Sequence, residues 1–385
     1  MPRLIRIVLG LLWLGVAAPA GTGPAAWNHW GTLRVLHFGD SHTGSDALQA
    51  VLRDGLHGRF GDGGPGYQLP WLRKRQPGAG ASAGWRRLAL AQDPEALLGL
   101  GGAALEAGRR GEKAWCAGSF SRMRLYLLRQ PGGGAVRVSV DGQILGEPGL
   151  SSAQPGVVVL EKAFPEVKPR RIQIETVTDG RSRILGVSLE RAGGAVYSPL
   201  SINGAQASWL LRLPDGLLEA QLRPEAPSLI VLAFGTNEAK HGDFDGAGYE
   251  RALKQVLERL RRAVPLASLL LVAPPDAAFP GEALGRIAAI QQAQAAACGA
   301  GFVDLCAAMG GPGSIRRWLG SGMAQGDLVH YTAKGYDRHA RTLLPALLQG
   351  LAVQPAPALQ PNPVYVYRTG DGHTVITNTI PGDLQ

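Results

Sequence analysis

The sequence predicts an α/β protein in which a parallel, helix-covered sheet is interrupted by an inserted all-β domain. Aliphatic strands alternate with helical patterns near the start of the chain and again from residue 198 onward, and this alternation is typical of a parallel sheet. Residues 85–197 instead carry short runs of alternating polar and apolar residues, separated by Gly- and Pro-containing turns. Such runs indicate antiparallel strands, and a β-sandwich of jelly-roll type is the expected arrangement.

The first strand–helix unit contains a sharp turn that carries a serine. Residues 33–36 form a short aliphatic run that predicts a buried strand, and residues 45–57 have apolar positions at helical spacing. Gly39 and Asp40 favour a tight bend between them, which places Ser41 at the carboxyl end of the strand. Ligands bind at that end in open α/β sheets. Ser41 is therefore a candidate nucleophile, and a plain turn in which it caps the helix is the alternative.

A second serine lies in a motif with less structural support. Gly80-Ala81-Ser82-Ala83-Gly84 matches the G-x-S-x-G nucleophile pattern, whose mechanism requires a strand directly before the serine. The preceding residues are basic and include a proline, which does not predict a strand. We interpret this motif as a linker of small residues.

The second half of the parallel sheet contains further polar residues beyond its strands. Residues 228–234 form a continuous apolar strand that ends at Gly235-Thr236-Asn237-Glu238. Two more units are predicted: helix 249–262 with strand 268–273, and helix 283–297 with strand 301–305. Asp327 and His330 then lie three residues apart in a loop before a predicted helix at 334–348.

These separated residues supply the groups that an acyl hydrolase needs. Such an enzyme requires a nucleophile, a base that takes its proton, a group that orients the base, and donors to the oxyanion. Ser41 is the predicted nucleophile, His330 the base and Asp327 the orienting carboxylate. The predicted oxyanion hole consists of the Ser41 and Gly204 backbone N–H groups and the Asn237 side-chain amide.

The same residues resemble the SGNH (GDSL-like) esterase superfamily. Gly39-Asp40-Ser41-His42, Gly204, Gly235-Thr236-Asn237 and Asp327-x-x-His330 match its four blocks in order, over about residues 31–72 and 198–350. The resemblance implies a three-layer hydrolase domain with a parallel sheet, and a serine esterase that works by Ser-His-Asp double displacement. No cofactor is implied.

A narrower resemblance is to exported peptidoglycan O-acetylesterases. It rests on the His after the nucleophile, on Phe60-Gly61-Asp62-Gly63-Gly64-Pro65-Gly66, on the inserted β-sandwich and on Gly235-Thr236-Asn237-Glu238-Ala239. The resemblance implies removal of acetyl groups from the 6-hydroxyl of N-acetylmuramic acid, with an insert similar to a carbohydrate-binding module. Asp40, His42 and Glu238 are expected to lie next to the catalytic groups and to orient them without taking part in the chemistry.

Two other functional classes are compatible with these residues. An O-acetyltransferase would use the same triad and deliver the acyl group to a polysaccharide hydroxyl. A wall-binding protein would retain the hydrolase scaffold without activity, although the complete set of catalytic residues argues against it. The inserted domain has two readings as well: a module that positions a glycan, or a structural insertion that only shields its neighbour.

The two ends of the chain predict export and a small appendage. Residues 1–26 have basic residues, an apolar block and a small-residue cleavage site, which is typical of a secretory signal peptide. The expected order after it is a first hydrolase segment (27–84), the insert (85–197), a second hydrolase segment (198–352), a Pro-rich linker (353–363) and a β-hairpin tail (364–385). A periplasmic protein without a stable membrane span after cleavage is the expected product.

Net charge and cysteine content limit the possible partners, disulfides and metal sites. The formal net charge of +9 suits an anionic or wall-associated partner, and an O-acetylated glycan such as peptidoglycan is favoured. Nucleic acid is not expected, because the basic residues are scattered and no basic helix is interleaved with aromatics. Three cysteines exclude a disulfide scaffold, although a Cys298–Cys306 bridge stays open. The sequence has no metal-binding motif, and a metal site is not expected.

Overall fold

The computed structural model describes residues 31–69, 78–240, 243–279, 281–351, 365–368 and 374–377. The predicted signal peptide and Pro-rich linker lie outside these residues. The strands are β1 (Leu33–Gly39), β2 (Gly66–Gln68), β3 (Gly80–Ala81), β4 (Arg86–Ala89), β5 (Ala103–Ala107), β6 (Lys113–Arg129), β7 (Val136–Val140), β8 (Gln143–Gly146), β9 (Gly156–Thr176), β10 (Ser182–Glu190), β11 (Ala195–Ser201), β12 (Leu229–Ala233), β13 (Ser268–Ala273), β14 (Gly301–Asp304), β15 (Tyr365–Arg368) and β16 (Thr374–Thr377).

Helices alternate with the strands in the second half of the chain. The α-helices are α1 (Asp46–Phe60), α2 (Asp215–Glu225), α3 (Thr236–Ala239), α4 (Gly246–Ala263), α5 (Ala283–Cys298), α6 (Leu305–Met309), α7 (Ser314–Gly320) and α8 (Ala333–Gly350), and a 3₁₀ helix at Ala207–Arg212 precedes α2. Among the helices that the structure describes, none is long and apolar enough to cross a membrane.

Five strands form a parallel sheet in the order β11, β1, β12, β13, β14. In this sheet β1 pairs with two neighbours, so that Phe38 lies beside Leu200 on one side and Leu232 on the other. The chain reaches the two neighbours on opposite sides of β1, and the carboxyl end of β1 is therefore a topological switch point. Crevices at such points are the usual ligand sites of open α/β sheets. The prediction of an α/β fold with a parallel sheet is confirmed.

Alternate side chains of β1 enter two different cores. Leu33 and Val35 belong to the core on the face covered by α1 and α8. Leu36 and Phe38 belong to the core on the opposite face, which includes Leu253 of α4 and residues of α5. The alternation follows from the two-residue period of a strand. Helices therefore cover both faces of the parallel sheet.

The remaining large sheet is antiparallel and has nine strands. Its order is β4, β5, β10, β6, β9, β7, β8, with β2 paired to β10 and β3 paired to β6. The long strands β6 and β9 pair along most of their length, and apolar residues from β6, β7, β9 and β10 form a separate core. The strands are antiparallel as their alternating pattern predicts, while the jelly-roll arrangement stays a prediction.

The strand pairings differ from the predicted domain boundaries. β2 falls within the predicted first hydrolase segment, but it pairs with β10 of the antiparallel sheet. β11 begins at Ala195, before the predicted boundary at residue 197, and pairs with β1 along its whole length. β11 is buried among apolar neighbours for most of its length, so its sequence does not distinguish it from the strands before it. The two sheets therefore share a border within the chain.

A continuous apolar core joins the two sheets. Tyr67, Tyr126 and Leu185 of the antiparallel sheet lie in the same buried cluster as Leu36 and Phe38 of β1. Burial of apolar surface contributes about 25 cal/mol per Å². Because both sheets contribute to this cluster, neither buries all its apolar residues without the other.

A buried ionic network also connects the sheets. Arg34 of β1 donates to both carboxylate oxygens of Glu190 in β10, at 2.7 and 2.5 Å, and to the Glu225 carbonyl at 2.6 Å. Arg124 of β6 donates to Glu190 at 3.2 Å, and the Tyr126 hydroxyl donates to the Glu225 carboxyl. Burial raises the pKa of Glu225. Buried charges of this kind are stable only when paired.

The cysteines and the end of the chain complete the description. Cys116, Cys298 and Cys306 are free thiols, so the disulfide that the sequence left open is not formed. β15 and β16 pair as an antiparallel hairpin, within the segment where the sequence predicts a terminal hairpin.

The ionic network predicts a large difference between two charge-removing substitutions. Glu190→Gln should lower the free energy of unfolding by about 3–5 kcal/mol, because it leaves the buried Arg34 without its carboxylate partner and removes one of the carboxylates around Arg124. Glu147→Gln is the matched control, since Glu147 pairs with Arg137 at the surface of the same sheet, where solvent screens the pair and its loss should change stability far less. Urea unfolding of both variants measures the difference. Equal losses would contradict a structural role for the buried network.

Candidate active site

The turn after β1 places Ser41 at the carboxyl end of the strand. Gly39 ends β1, and a Cβ at this position would lie 2.0 Å from Thr43 Oγ1, so only glycine fits without displacement. Asp40 is buried, and its carboxyl accepts a hydrogen bond from the His42 N–H at 2.9 Å. Ser41 itself is half-buried. Its side chain is thus carried by a short turn that the packing around it defines.

Asp327 and His330 lie on the loop between α7 and α8. One Asp327 oxygen accepts the backbone N–H groups of Val329 and His330, at 3.0 and 2.9 Å. Its other oxygen lies 2.7 Å from His330 Nδ1. Leu328 has a positive φ of 56°, and its carbonyl accepts the Ala278 N–H at 3.0 Å. The carboxyl group of Asp327 therefore organises the loop and contacts the imidazole at the same time.

The three predicted triad residues form one chain of hydrogen bonds. Ser41 Oγ lies 2.9 Å from His330 Nε2. Burial acts to raise the pKa of Asp327, but hydrogen bonds from His330 and Val329 outweigh it and lower the pKa to about 2. The ionised carboxylate can only accept, so His330 Nδ1 carries a proton and a neutral His330 has Nε2 as an acceptor. This arrangement can remove the Ser41 proton as Oγ attacks a carbonyl.

A loop of residues 202–205, which we call the 202–205 loop, lies beside the Ser41 turn. The Ile202 N–H donates to the Gly39 carbonyl at 3.0 Å, which ties the loop to the end of β1. The Asn237 side-chain amide donates to the Ala205 carbonyl at 2.9 Å, which ties it to α3. The loop is therefore held between two strand ends of the parallel sheet.

In the described part of the chain, each predicted oxyanion donor has an N–H group that no protein acceptor occupies. Within the described residues, neither the Ser41 N–H nor the Gly204 N–H donates to a protein acceptor. Gly204 is exposed and has a positive φ of 77°. The Asn237 amide has two N–H groups, and one of them suffices for the Ala205 carbonyl. Unpaired donors on fixed elements are what a developing oxyanion requires.

Two carboxyl groups lie behind these donors. Glu238 accepts the Ala207 N–H at 2.8 Å. Burial raises the pKa of Glu238 to about 7, against the opposing effect of that hydrogen bond. Burial likewise raises the pKa of Asp40 to about 6, although hydrogen bonds from His42 and Thr236 oppose it. Both groups are thus less acidic than Asp327 and hold backbone in place.

His42 packs against the imidazole of His330. The two ring centres are 5.4 Å apart, and His42 Nδ1 lies 3.3 Å from the Tyr336 hydroxyl. Burial lowers the pKa of His42 to about 3. His42 is therefore a neutral ring at neutral pH and supports His330 without adding charge. Tyr331 also contacts His42, with ring centres 5.2 Å apart.

The competing serine motif does not form a nucleophilic site. Ser82 lies just after the two-residue strand β3, and its hydroxyl donates to the Glu112 carboxylate. Its Oγ also accepts the Lys113 N–H at 2.9 Å. Both contacts hold β3 against β6, a structural role.

Known proteins similar to this chain include acylhydrolases and a carbohydrate-directed esterase. A profile described as the GDSL-like Lipase/Acylhydrolase family matches residues 173–338, a span that includes Gly204, Asn237, Asp327 and His330. A solved structure described as a peptidoglycan O-acetylesterase in action is 26% identical, with a TM-score of 0.71, and the match covers 85% of this chain and 93% of that one. The chain contains a GDSL-like acylhydrolase domain. It is an ester hydrolase.

Other solved structures resemble the acylhydrolase more distantly. A family two carbohydrate esterase from Cellvibrio japonicus is 15% identical with a TM-score of 0.32, covering 71% of this chain and 99% of that one. A family two carbohydrate esterase from Clostridium thermocellum, solved with cellohexaose, is 13% identical with a TM-score of 0.34, covering 70% and 99%. No curated protein sequence matches the chain.

Sequence reasoning missed the aromatic surroundings of the acylhydrolase site. Tyr331 follows His330 directly, and Tyr336 and His339 lie three residues apart on α8, which packs against α1 beyond the Ser41 turn. Tyr336 and His339 stack with a ring separation of 6.4 Å. The helical spacing of these residues was a usable signal, but it does not distinguish core aromatics from residues that support a site.

Three buried histidines contribute stability that is lost in acid. Burial lowers the pKa of His37, His42 and His339 to about 3, whereas an unfolded chain takes up these protons near pH 6.5. Stability from these groups is complete above about pH 6.5 and is lost as the pH falls toward 3. Asp40 and Glu238 oppose the effect, because their raised pKa values make the folded state hold protons up to about pH 6–7. Burial also raises the pKa of Glu225, so the carboxyls offset the histidines in the whole protein, and the contribution of one histidine is isolated by replacing it.

The contribution of His339 to the free energy of unfolding should fall between pH 6.5 and pH 4, because its pKa in the folded protein is about 3. His339→Gln should reduce the slope by about one proton, or about 1.4 kcal/mol per pH unit. Urea unfolding at several pH values, each referred to the same variant at pH 8, separates this effect from any change in packing. An unchanged slope would mean that His339 is not buried as a neutral ring.

Proposed function

We propose that this acylhydrolase is a serine esterase that removes O-acetyl groups from cell-wall peptidoglycan, with Ser41 as nucleophile, His330 as base and Asp327 as orienting carboxylate. The observation that carries the proposal is the continuous hydrogen-bonded chain from Ser41 Oγ through His330 to Asp327. It lies at the switch point of the parallel sheet, beside backbone and side-chain donors that can serve an oxyanion.

Acylation follows from the geometry of these groups. Ser41 Oγ attacks the ester carbonyl carbon while its proton moves to His330 Nε2, and the carbonyl π electrons move to oxygen. The Ser41 and Gly204 N–H groups and the Asn237 amide stabilise that oxyanion, and Asp327 stabilises the imidazolium. Collapse of the tetrahedral intermediate breaks the bond to the sugar oxygen, which receives the proton from His330. The product is acetyl-Ser41.

Deacylation repeats the sequence with water. Neutral His330 takes a proton from a water molecule as its oxygen attacks the acetyl carbon. The same donors hold the second oxyanion, and collapse returns the proton to Ser41 Oγ and releases acetate. Every proton is carried by His330, so the proposed reaction requires no metal or other cofactor.

The substrate assignment rests on likeness rather than on the triad. The structure with TM-score 0.71 is described as a peptidoglycan O-acetylesterase, and the resemblance of the sequence motifs points to 6-O-acetyl-N-acetylmuramic acid. A wall substrate fits the export that residues 1–26 predict, and a periplasmic location belongs to the proposal. We also propose that the antiparallel sheet is an inserted jelly-roll domain that contacts the glycan. Its border with the 202–205 loop supports this placement.

Single and double substitutions test the nucleophile and its base. Ser41→Ala and His330→Ala should each lower turnover of a small acetyl ester by several orders of magnitude, and the double variant should lose little more, because the two residues act as one unit. Ser82→Ala is the control and should keep wild-type turnover, since Ser82 only holds β3 against β6. Losses that multiply in the double variant would refute the pairing.

Asn237→Ala tests the oxyanion hole. Loss of one donor should reduce kcat by about 10²–10³ with a smaller change in KM, because the contact strengthens as negative charge develops on the substrate oxygen. Steady-state kinetics on the same ester measure both constants. A kcat equal to that of the wild type would remove Asn237 from the hole.

The substrate is tested on isolated walls. The purified protein should release acetate from O-acetylated peptidoglycan and release none from the same material after mild alkaline removal of its esters. Adding a soluble sugar acceptor distinguishes the transferase, which would acetylate the acceptor instead of releasing acetate. Activity on a small ester with no release from peptidoglycan would retain the esterase and reject this substrate.

A further inference from the structure

A turn of the antiparallel sheet lies against the 202–205 loop. Residues 98–102 form this turn, just before β5, and we call it the 98–102 turn. A Cβ built on Gly102 would lie 2.0 Å from Ile202 Cδ1 and 2.8 Å from Ile202 Cγ1. The backbone of the turn is therefore in direct van der Waals contact with the first residue of the loop.

The 98–102 turn is fixed by its own hydrogen bonds. The Gly102 carbonyl accepts the Leu90 N–H at 3.0 Å. The Leu100 N–H donates to the Tyr67 hydroxyl at 3.3 Å, and that hydroxyl donates to the Leu185 carbonyl at 2.9 Å. These hydrogen bonds connect the turn to the end of β4, to β2 and to β10, and they hold its backbone in place.

Tyr67 also connects the turn to the parallel sheet. Its backbone N–H donates to Ser198 Oγ in β11 at 2.9 Å, and its ring is buried between the two sheets. Strand β11 continues directly into the 202–205 loop. The turn is thus connected to β11 through Tyr67, and the loop is connected to β11 by the chain itself.

Two hydrogen bonds tie the backbone of the loop to the hydrolase elements. Ile202 is tied to Gly39, and Ala205 is tied to Asn237 of α3. The Ile202 side chain packs against the apolar cluster that the two sheets share, and the 98–102 turn contacts it through Gly102. The antiparallel sheet therefore contacts the loop at the Ile202 side chain.

We propose that the 98–102 turn is a positioning element for the oxyanion donors, acting through Ile202. This rests on the proposed function of the Gly204 N–H in the oxyanion hole. The antiparallel sheet then contributes to the chemistry itself, including turnover of esters that are too small to reach a glycan-binding surface. Displacing the loop should lower kcat more than it raises KM, because donors placed about 1 Å away from the oxyanion lose much of their effect.

Gly102→Ala tests the contact, with a matched glycine as control. Gly102 has φ +66° and Gly132, in another turn of the same sheet, has φ +68° with no atom within 4 Å of a built Cβ. Both alanine variants carry the same backbone strain, but only Gly102→Ala meets Ile202. On a small acetyl ester, Gly102→Ala should lose about 10–100-fold in kcat, and Gly132→Ala should stay within about twofold of wild type.

A second-site change tests the route through Ile202. Ile202→Val removes Cδ1, the atom that a Cβ on Gly102 would meet first, and leaves Cγ1 at 2.8 Å, so Gly102→Ala/Ile202→Val should recover part of the lost kcat. Ile202→Val alone weakens the contact with the turn and should lower kcat by less than Gly102→Ala does. A double variant as slow as Gly102→Ala, with the same melting temperature as Gly132→Ala, would overturn the proposal.

Hydrogen exchange keeps the proposal testable if the esterase assignment fails. Peptides that span residues 201–210 should exchange faster in Gly102→Ala than in Gly132→Ala, and the double variant should restore protection. This readout depends on the loop and not on turnover. A wild-type protein without esterase activity would reject the proposed function, whereas identical exchange in the two glycine variants would reject the positioning role.

Discussion

The paired hydrogen bonds between Arg34 and Glu190 constrain the arrangement of both sheets. Arg34 lies inside β1, where water cannot reach it, and its guanidinium is satisfied by the Glu190 carboxylate and the Glu225 carbonyl. Removing each charge from water costs several kcal/mol before the pair forms. Strand β1 is therefore stable in its position only when β10 is in place. The Ser41 turn ends the same strand, so the antiparallel sheet helps to locate the candidate nucleophile.

The same constraint joins the antiparallel sheet firmly to the parallel one. A module that only recruits a polymer would be joined by short linkers and would share little buried surface with its neighbour, whereas this sheet has a core of its own and a further shared one. Here the two sheets share one buried cluster, one ionic network and the residue Tyr67, which contacts both. A structural contribution of the antiparallel sheet is thus built into the fold, and any contact with a glycan comes in addition to it.

Much of the parallel sheet could be predicted because strands buried on both faces appear as continuous apolar runs. The candidate site could be predicted for a related reason, since Ser41 follows one such run and Asn237 another. The ionic network was not predictable, because Arg34 and Glu190 resemble the exposed positions of ordinary strands until their burial is known. The 98–102 turn was not predicted because glycine has no functional group that would mark a site. Its role here is to let the backbone lie close to the Ile202 side chain.

Burial sorts the acidic groups around Ser41 by charge. Asp327 is exposed and strongly hydrogen bonded, and its low pKa keeps it ionised beside the imidazole, where a negative charge stabilises the imidazolium. Asp40 and Glu238 lie behind the oxyanion donors, where a negative charge would oppose the developing oxyanion. Burial raises the pKa of both groups, which reduces that opposing charge below neutral pH. The same fold therefore places one full charge where the reaction needs it and weakens two where it does not.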